Sequence, residues 1–175
     1  MLPTCRLFAA EKRTLDELIQ IMDYALNNGY TVNWDGDVSE RGFSHANGVA
    51  VIPDISKMDL TAMTDRARFE GAQADRTPIP GTFDKPNPEI DVTQEVRQKG
   101  YETFVTTDDH LMHLTGIVKD QNGTKYYITK NSWGTDRNPH GGYLNMSESF
   151  VRAKTIYIMV HKDAVPGDIK TKLGL

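Results

Sequence analysis

The chain has 175 residues, 38% of them apolar and 25% charged, and carries a formal net charge of −4. Those values describe a single globular domain over residues 1–175 and exclude a disordered chain. No apolar run has the length of a bilayer span, and no basic stripe with interleaved aromatics offers a nucleic-acid surface. The N-terminal residues lack the basic-then-apolar order of a secretory signal. Neither membrane nor nucleic acid is therefore expected as a partner, and the default location is cytoplasmic. The single cysteine, Cys5, excludes an internal disulfide framework and suits a reducing compartment.

In chain order, Thr14 and Glu17 form a capping box that opens a helix. Leu15, Leu18, Ile19, Met22 and Leu26 then recur at helical spacing, with Ala25 filling in. Gly29 can take the left-handed position that closes such a helix. Residues 30–34, which hold Tyr30 and Trp34, read as a strand, with both aromatics in the core or on a cleft wall. Residues 35–53 read as loop with one short apolar stretch at 48–52. Asp35, Asp37 and Glu40 make its start acidic, and a solvated turn is preferred there to an ion site, because calcium needs a denser oxygen cluster. A small helix is predicted near 61–69. Residues 71–90 form a surface excursion marked by Pro78, Pro80, Pro86 and Pro88 with Gly71 and Gly81.

A second helix is predicted over 93–104, with Val92, Val96 and Phe104 on its apolar side. Strands at 111–118 and 125–130 flank Asn122-Gly123, a strong hairpin signal. The Asn122-Gly-Thr124 triplet is that turn rather than a glycosylation acceptor. Further strands are predicted at 142–146 and 155–161, separated by a short helix at 147–153. The tail, 166–175, has too few apolar groups to fold alone. His45, His140 and His161 fall in loops or on strand surfaces.

The chemistry gathers on His110 and on Asn131-Ser132-Trp133-Gly134. A thiol attacks only as thiolate, and a neighbouring imidazole can hold its proton and stabilise the sulfur anion. An amide oxygen bound to the other ring N–H fixes tautomer and ring plane without adding charge. His110 is the candidate base, Asn131 its orienter, and Trp133 a shield that keeps water from the bond between them.

These residues resemble the C-terminal half of a papain-like cysteine peptidase. Three stretches carry the resemblance, which is closest to the bleomycin hydrolase and aminopeptidase C branch. They are residues 25–40, Thr106-Thr-Asp-Asp-His-Leu-Met112, and Asn131-Ser-Trp-Gly134 together with 150–155 and 160–166. The resemblance implies an α+β fold, the β-barrel lobe of that peptidase with accompanying helices. It implies peptide hydrolysis, most simply of the aminopeptidase type, through a Cys-His-Asn triad with no cofactor. The family's cysteine stands in a Gln…Cys-Trp motif on an N-terminal helical lobe. Cys5 is followed by Arg6 and has only four residues before it, so no nucleophile is identified in this chain. The expectation is the second lobe alone, inactive by itself, with a peptide substrate and the missing N-terminal lobe as partners. The branch also implies a homo-oligomer, a hexamer, and a C-terminus lying along the cleft. Leu175 would then limit substrates by its carboxylate, the alternative being a frayed end.

Two rivals stand beside this reading. One is a non-catalytic papain-like interaction or inhibitory module. The other is a metal-dependent hydrolase using His110 and His113. On a strand those two side chains point to opposite faces, which argues against a shared metal, and no metal site is assigned.

Overall fold

The computed structural model describes residues 5–9, 14–58, 79 and 81–174, with the backbone alone at 5–9. The predicted small helix near 61–69, much of the proline-marked excursion and Leu175 lie outside the described residues.

Helix α1 spans Leu15–Asn27. Its start is the predicted capping box: Thr14 Oγ1 accepts the Glu17 N–H at 3.2 Å, and the Glu17 carboxylate accepts the Thr14 N–H at 3.4 Å. Leu18, Ile21, Met22 and Ala25 are fully buried, so the apolar stripe takes in Ile21 as well as the residues singled out by spacing. The helix ends at Asn28, and Gly29 takes φ +79°.

The sheet is built from β1 (Cys5–Ala9), β2 (Val32–Gly36), β3 (Phe43–Ser44), β4 (Val49–Ala50), β5 (His110–Lys119), β6 (Lys125–Lys130), β7 (Tyr143–Ser147) and β8 (Thr155–His161). Its order is β1-β8-β2-β5-β6-β7-β4-β3. Neighbours run antiparallel except β4 and β7, which are parallel. The predicted β-barrel is therefore corrected. Closure would require the two edges, β1 and β3, to pair. β1 pairs only β8, and two-residue β3 and β4 are too short to carry the ladder round, so the described sheet is open.

The β5–β6 hairpin forms where Asn122-Gly123 predicts it. Gly123 adopts φ +84°, and Asp120 Oδ1 accepts the N–H groups of Asn122 and Thr124 at 2.8 and 2.9 Å. The core lies between one face of the sheet and the helices. Leu18, Ile21 and Met22 of α1 join Trp34, Met112, Leu114, Tyr127, Leu144, Met146 and Ile158. Trp34 is fully buried, and its Nε1–H donates to Thr155 Oγ1 at 2.7 Å. Gly36 is required at the end of β2, because a Cβ there would lie 2.4 Å from the Lys154 carbonyl oxygen.

Helix α2 spans Gln94–Glu102, shorter than predicted, and its apolar side is also corrected. Val92 is buried, but Val96 is 44% exposed and Phe104 83% exposed. The buried side chain of this helix is Arg97, whose guanidinium donates to the Thr155 carbonyl at 2.7 Å. A hydrogen-bonded cation thus occupies the place that apolarity alone assigned to Val96. Helix α3 (Glu148–Lys154) follows β7 with Ser147 as its N-cap. The tail forms α4 (Gly167–Leu173), anchored by the fully buried Ile169. Among the described residues no helix is long and apolar enough to cross a membrane.

One buried ion pair ties these pieces together. Lys154, at the end of α3, is 2% exposed, and its ammonium meets Asp37, fully buried just past β2, at 3.2 Å. Glu40 is a second partner of Lys154. The same ammonium donates to the Val105 carbonyl and Thr106 Oγ1, both at 3.2 Å. Asp37 accepts from the Ser39 N–H, the Ser39 hydroxyl and the Thr107 N–H. Burial alone would push the Asp37 carboxyl up. The Ser39 hydroxyl, then the Lys154 charge and the two amides, outweigh it and hold it below the ordinary carboxylate range. The solvated acidic turn expected at Asp35 and Asp37 is thus corrected: both are buried, because Asp37 is paired across the fold.

Lys154→Met leaves a buried carboxylate without its cation and is expected to cost about 3 kcal/mol of folding stability, read by urea denaturation. A loss under about 1 kcal/mol would show that water already reaches the pair. Because Asp37 is depressed in the fold, its contribution is present above the unfolded-state value and is lost as pH falls through the folded one.

Candidate active site

His110 opens β5 and Asn131 follows directly on β6. In the hairpin register His113 lies opposite Lys130 and Leu114 opposite Thr129. Alternation then places His110, Met112 and Leu114 on one face and His113, which is exposed, on the other. The two histidines do not converge. On the first face His110 Nε2 lies 2.9 Å from Asn131 Oδ1, so the structure brings together the two residues that the sequence marks.

The surrounding bonds assign the polarity of this contact. Asn131 Oδ1 also accepts the Ser132 backbone N–H at 2.7 Å, which identifies that atom as oxygen. An oxygen can only accept here, so His110 Nε2 carries the proton and donates. Nδ1 keeps the lone pair, and it has no hydrogen-bond partner among the described residues.

On its other side the Asn131 amide meets His45, with Nδ2 lying 3.4 Å from His45 Nδ1. His45 Nε2 lies 3.2 Å from the Gly134 carbonyl, which can only accept, so Nε2 is protonated and Nδ1 accepts from the amide. The order is consistent throughout: His110 donates to Asn131, Asn131 to His45, and His45 to Gly134.

Trp133 lies over this group. Its ring centroid is 4.9 Å from that of His110 and 5.6 Å from those of His45 and Phe43, edge-on to the latter two. It is 53% exposed, so it covers the pair from one side while its outer face stays wet. Asn138 fixes the loop around it. Its amide donates to the His45 and Tyr143 carbonyls at 2.7 and 2.9 Å, and its oxygen accepts the N–H groups of His140 and Gly142.

The opposite side of His110 is acidic. Asp109 Oδ1 accepts the Val38 N–H at 2.9 Å, fastening the entry to β5 against the residues that follow β2. An open cleft of about 410 Å³ here is bounded by Asp35, Asp108, Asp109, His110 and Tyr157. Asp35 is only 1% exposed. Burial first, and then the charge of Asp108, push its carboxyl up to about 6.

Cys5 lies on β1, with β8 and β2 between it and β5. At the usual strand spacing its backbone is about 14 Å across the sheet from β5. The register sets it about five residues further along the strands than the level of His110. Leu175 is outside the described residues. Sequence reasoning missed His45 and Asn138 as members of this group. Both act through turns that bring together residues some ninety positions apart, and no local motif marks them. Asp35 was noticed but assigned to solvent.

A mostly antiparallel sheet flanked by helices, with a histidine and an asparagine bonded beneath a tryptophan, is the arrangement that the resemblance to the C-terminal half of a papain-like cysteine peptidase leads one to expect. Residues 89–174 match the Peptidase C1-like family. No curated protein matches the chain. Among solved structures it is similar to PepW from Lactobacillus rhamnosis HN001 at 16% identity and TM-score 0.49, over 91% of this chain and 28% of that one. It is similar to the bromelain protease from Ananas comosus, solved with the E64 inhibitor, at 16% identity and TM-score 0.43, over 87% and 47%. The ragweed pollen cysteine protease Amb a 11, in its proform, aligns at 14% identity and TM-score 0.42, over 91% and 30%. The chain thus spans less than half the length of each.

Two outcomes follow from this geometry. Asp35 keeps its proton in the fold from about pH 4 to about pH 6, where the unfolded chain has lost it, so its burial costs stability as pH rises through that window. Asp35→Asn is therefore expected to stabilise the fold by about 2 kcal/mol near pH 8 and to change little below about pH 4. Urea denaturation at the two pH values reads this, and an equal effect at both would refute it. His45→Ala removes the acceptor that holds the Asn131 amide. It is expected to speed exchange of the His110 Nε2 proton with water about fivefold, the worth of one hydrogen bond. Nitrogen-15 NMR of the imidazole measures this; an unchanged rate means the Ser132 bond alone holds the amide.

Proposed function

We propose that this chain supplies the base and orienting half of a thiol-dependent peptidase of the aminopeptidase C and bleomycin hydrolase type. In this reading the nucleophilic cysteine comes from a helical lobe outside residues 1–175. The single observation that supports it most is the bond from His110 Nε2 to Asn131 Oδ1, with Trp133 over it and Nδ1 left to accept a proton.

The reaction follows from those roles. His110 Nδ1 takes the thiol proton, giving a thiolate and an imidazolium. The neutral Asn131 amide holds the ring without adding charge. The thiolate attacks the peptide carbonyl. As the C–N bond breaks, the imidazolium returns its proton to the leaving amine, and a thioester remains. His110 then takes a proton from water, whose oxygen attacks the thioester, and the proton passes to the departing sulfur. The substrate is a peptide, and the assembled enzyme is a homo-oligomer of the kind this branch forms.

The test is hydrolysis of an aminoacyl-coumarin amide by the full gene product that carries residues 1–175. Activity is expected to require reduced thiol and to be abolished by a thiol alkylator. His110→Ala is expected to lower kcat/KM by about 10³-fold or more, and Asn131→Ala by less. The isolated 175-residue chain is expected to release nothing. Thiol-independent hydrolysis, or full activity after His110→Ala, would sink the reading.

A further inference from the structure

The face of the sheet turned away from His110 is unused by the steps above. Tyr127 and Met146 pair across β6 and β7 and are fully buried in the core, on the face that Leu114 and His110 share. Alternation therefore turns Tyr126, Asn145 and Ser147 to the other face. Register sets Ser147 directly across from Tyr126, with Asn145 two residues back on the same strand. Glu89 closes on this patch. Its Oε2 accepts the Ser147 hydroxyl at 2.5 Å and the Ile52 N–H at 2.8 Å. Glu89, Tyr126, Asn145 and the turn at Asn47 and Gly48 line a cavity of about 280 Å³, with Asp84 and Lys85 exposed on its border.

Three polar groups in this cavity are left over. Glu89 commits Oε2 to two donors, and Oε1 accepts none from the described residues. The Tyr126 hydroxyl and the Asn145 side-chain amide likewise have no hydrogen-bond partner among them. The side-chain atoms that the fold seals from solvent without a partner belong to Asp35, Thr82, Arg97 and Asp120, so these three groups stay reachable. The field around them is negative. Burial pushes the Glu89 carboxyl up against the pull of its two donors, and the charge that reaches it, that of Asp120, is negative too. Burial, then Glu89 and Asp120, push the Tyr126 hydroxyl up to about 12.

Such a cavity suits a cation whose donors point apart. A guanidinium fork takes both oxygens of a carboxylate, and Oε2 is already occupied by two donors. Among the described residues no three carboxylates, imidazoles or thiols converge as a metal-ligand group. A primary ammonium has three N–H donors and no acceptor. Glu89 Oε1, the phenol oxygen and the Asn145 amide oxygen offer it three acceptors from three segments of the chain.

We propose that the cavity formed by Glu89, Tyr126 and Asn145 is a binding site for a primary ammonium compound, on the opposite face of the sheet from His110. The ammonium is that of a small free amine or of a lysine side chain in a polypeptide, and the experiment separates them.

The purified 175-residue chain is titrated near neutral pH with butylamine, N-acetyl-lysine amide, N-acetyl-norleucine amide or calcium chloride. Carboxyl carbon-13 NMR follows Glu89. Butylamine is expected to shift its resonance saturably and to lower the pH at which it titrates, since a bound cation favours the carboxylate. A matching shift with N-acetyl-lysine amide assigns the site to lysine side chains, and a shift with butylamine alone assigns it to small amines. N-acetyl-norleucine amide, which has no ammonium, is expected to shift nothing. Tyr126→Phe removes a hydroxyl that no described residue uses and is expected to weaken binding about fivefold, the worth of one hydrogen bond. Glu89→Gln is expected to weaken it about tenfold, as loss of a charge-assisted bond does; its binding is read by the Asn145 side-chain amide resonances. Asp108→Asn, in the cleft beside His110, is expected to bind as the parent does. The readout needs no turnover, so the outcome is independent of the hydrolysis assay. The proposal is overturned if no amine gives a saturable shift, if the norleucine control shifts Glu89 equally, or if Tyr126→Phe and Glu89→Gln both bind as tightly as the parent. It is also overturned if Asp108→Asn abolishes binding, or if calcium gives the saturable shift in place of the amines.

Discussion

The ion pair between Lys154 and Asp37 is the constraint on which the geometry of the site depends. It joins the end of α3, the exit from β2 and the backbone at Val105–Thr107, three segments far apart in sequence. Burying two charges is costly, and their attraction offsets that cost only when the remaining donors and acceptors are also satisfied. Here they are: the ammonium has carboxylate, carbonyl and hydroxyl partners, and the carboxylate has two N–H groups and a hydroxyl. Such a network is intolerant of small displacements. That intolerance fixes residues 105–107, and the chain enters β5 at His110 three residues later.

From that anchor the imidazole is placed by two kinds of structure. The sheet gives position, because hairpin register decides which face His110 takes and how far Asn131 lies from it. The loops give orientation. Ser132 N–H fixes which end of the Asn131 amide points at His110, and His45, held through Asn138, receives the other end. A rigid strand carries the base while adaptable turns set its tautomer. The proposed Cys-His-Asn chemistry would need that division, since its imidazole must be accurately placed yet able to exchange a proton.

What could be read from the sequence is what local physics determines. The capping box and 3.6-residue stripe of α1 need only neighbours a few residues away, and so does the Asn-Gly hairpin. The adjacency of His110 and Asn131 was legible because one hairpin joins them. The errors share a cause in distant partners. Arg97 displaced Val96 from the buried side of α2 because the Thr155 carbonyl, 58 residues on, accepts its guanidinium. Asp37 looked solvated because its lysine lies 117 residues away. The barrel failed at its edges, where β3 and β4 hold two residues each and periodicity carries no signal.

The two sides of His110 differ in charge, and the difference has a thermodynamic consequence. Asn131 adds no charge on one side, while the other concentrates carboxylates, one of them buried beyond what the fold satisfies. A residue that lowers stability at the pH where it is ionised persists most readily at a site that uses it. Asn131 thus orients the ring without adding charge, and the penalty for charge beside His110 falls on the buried Asp35.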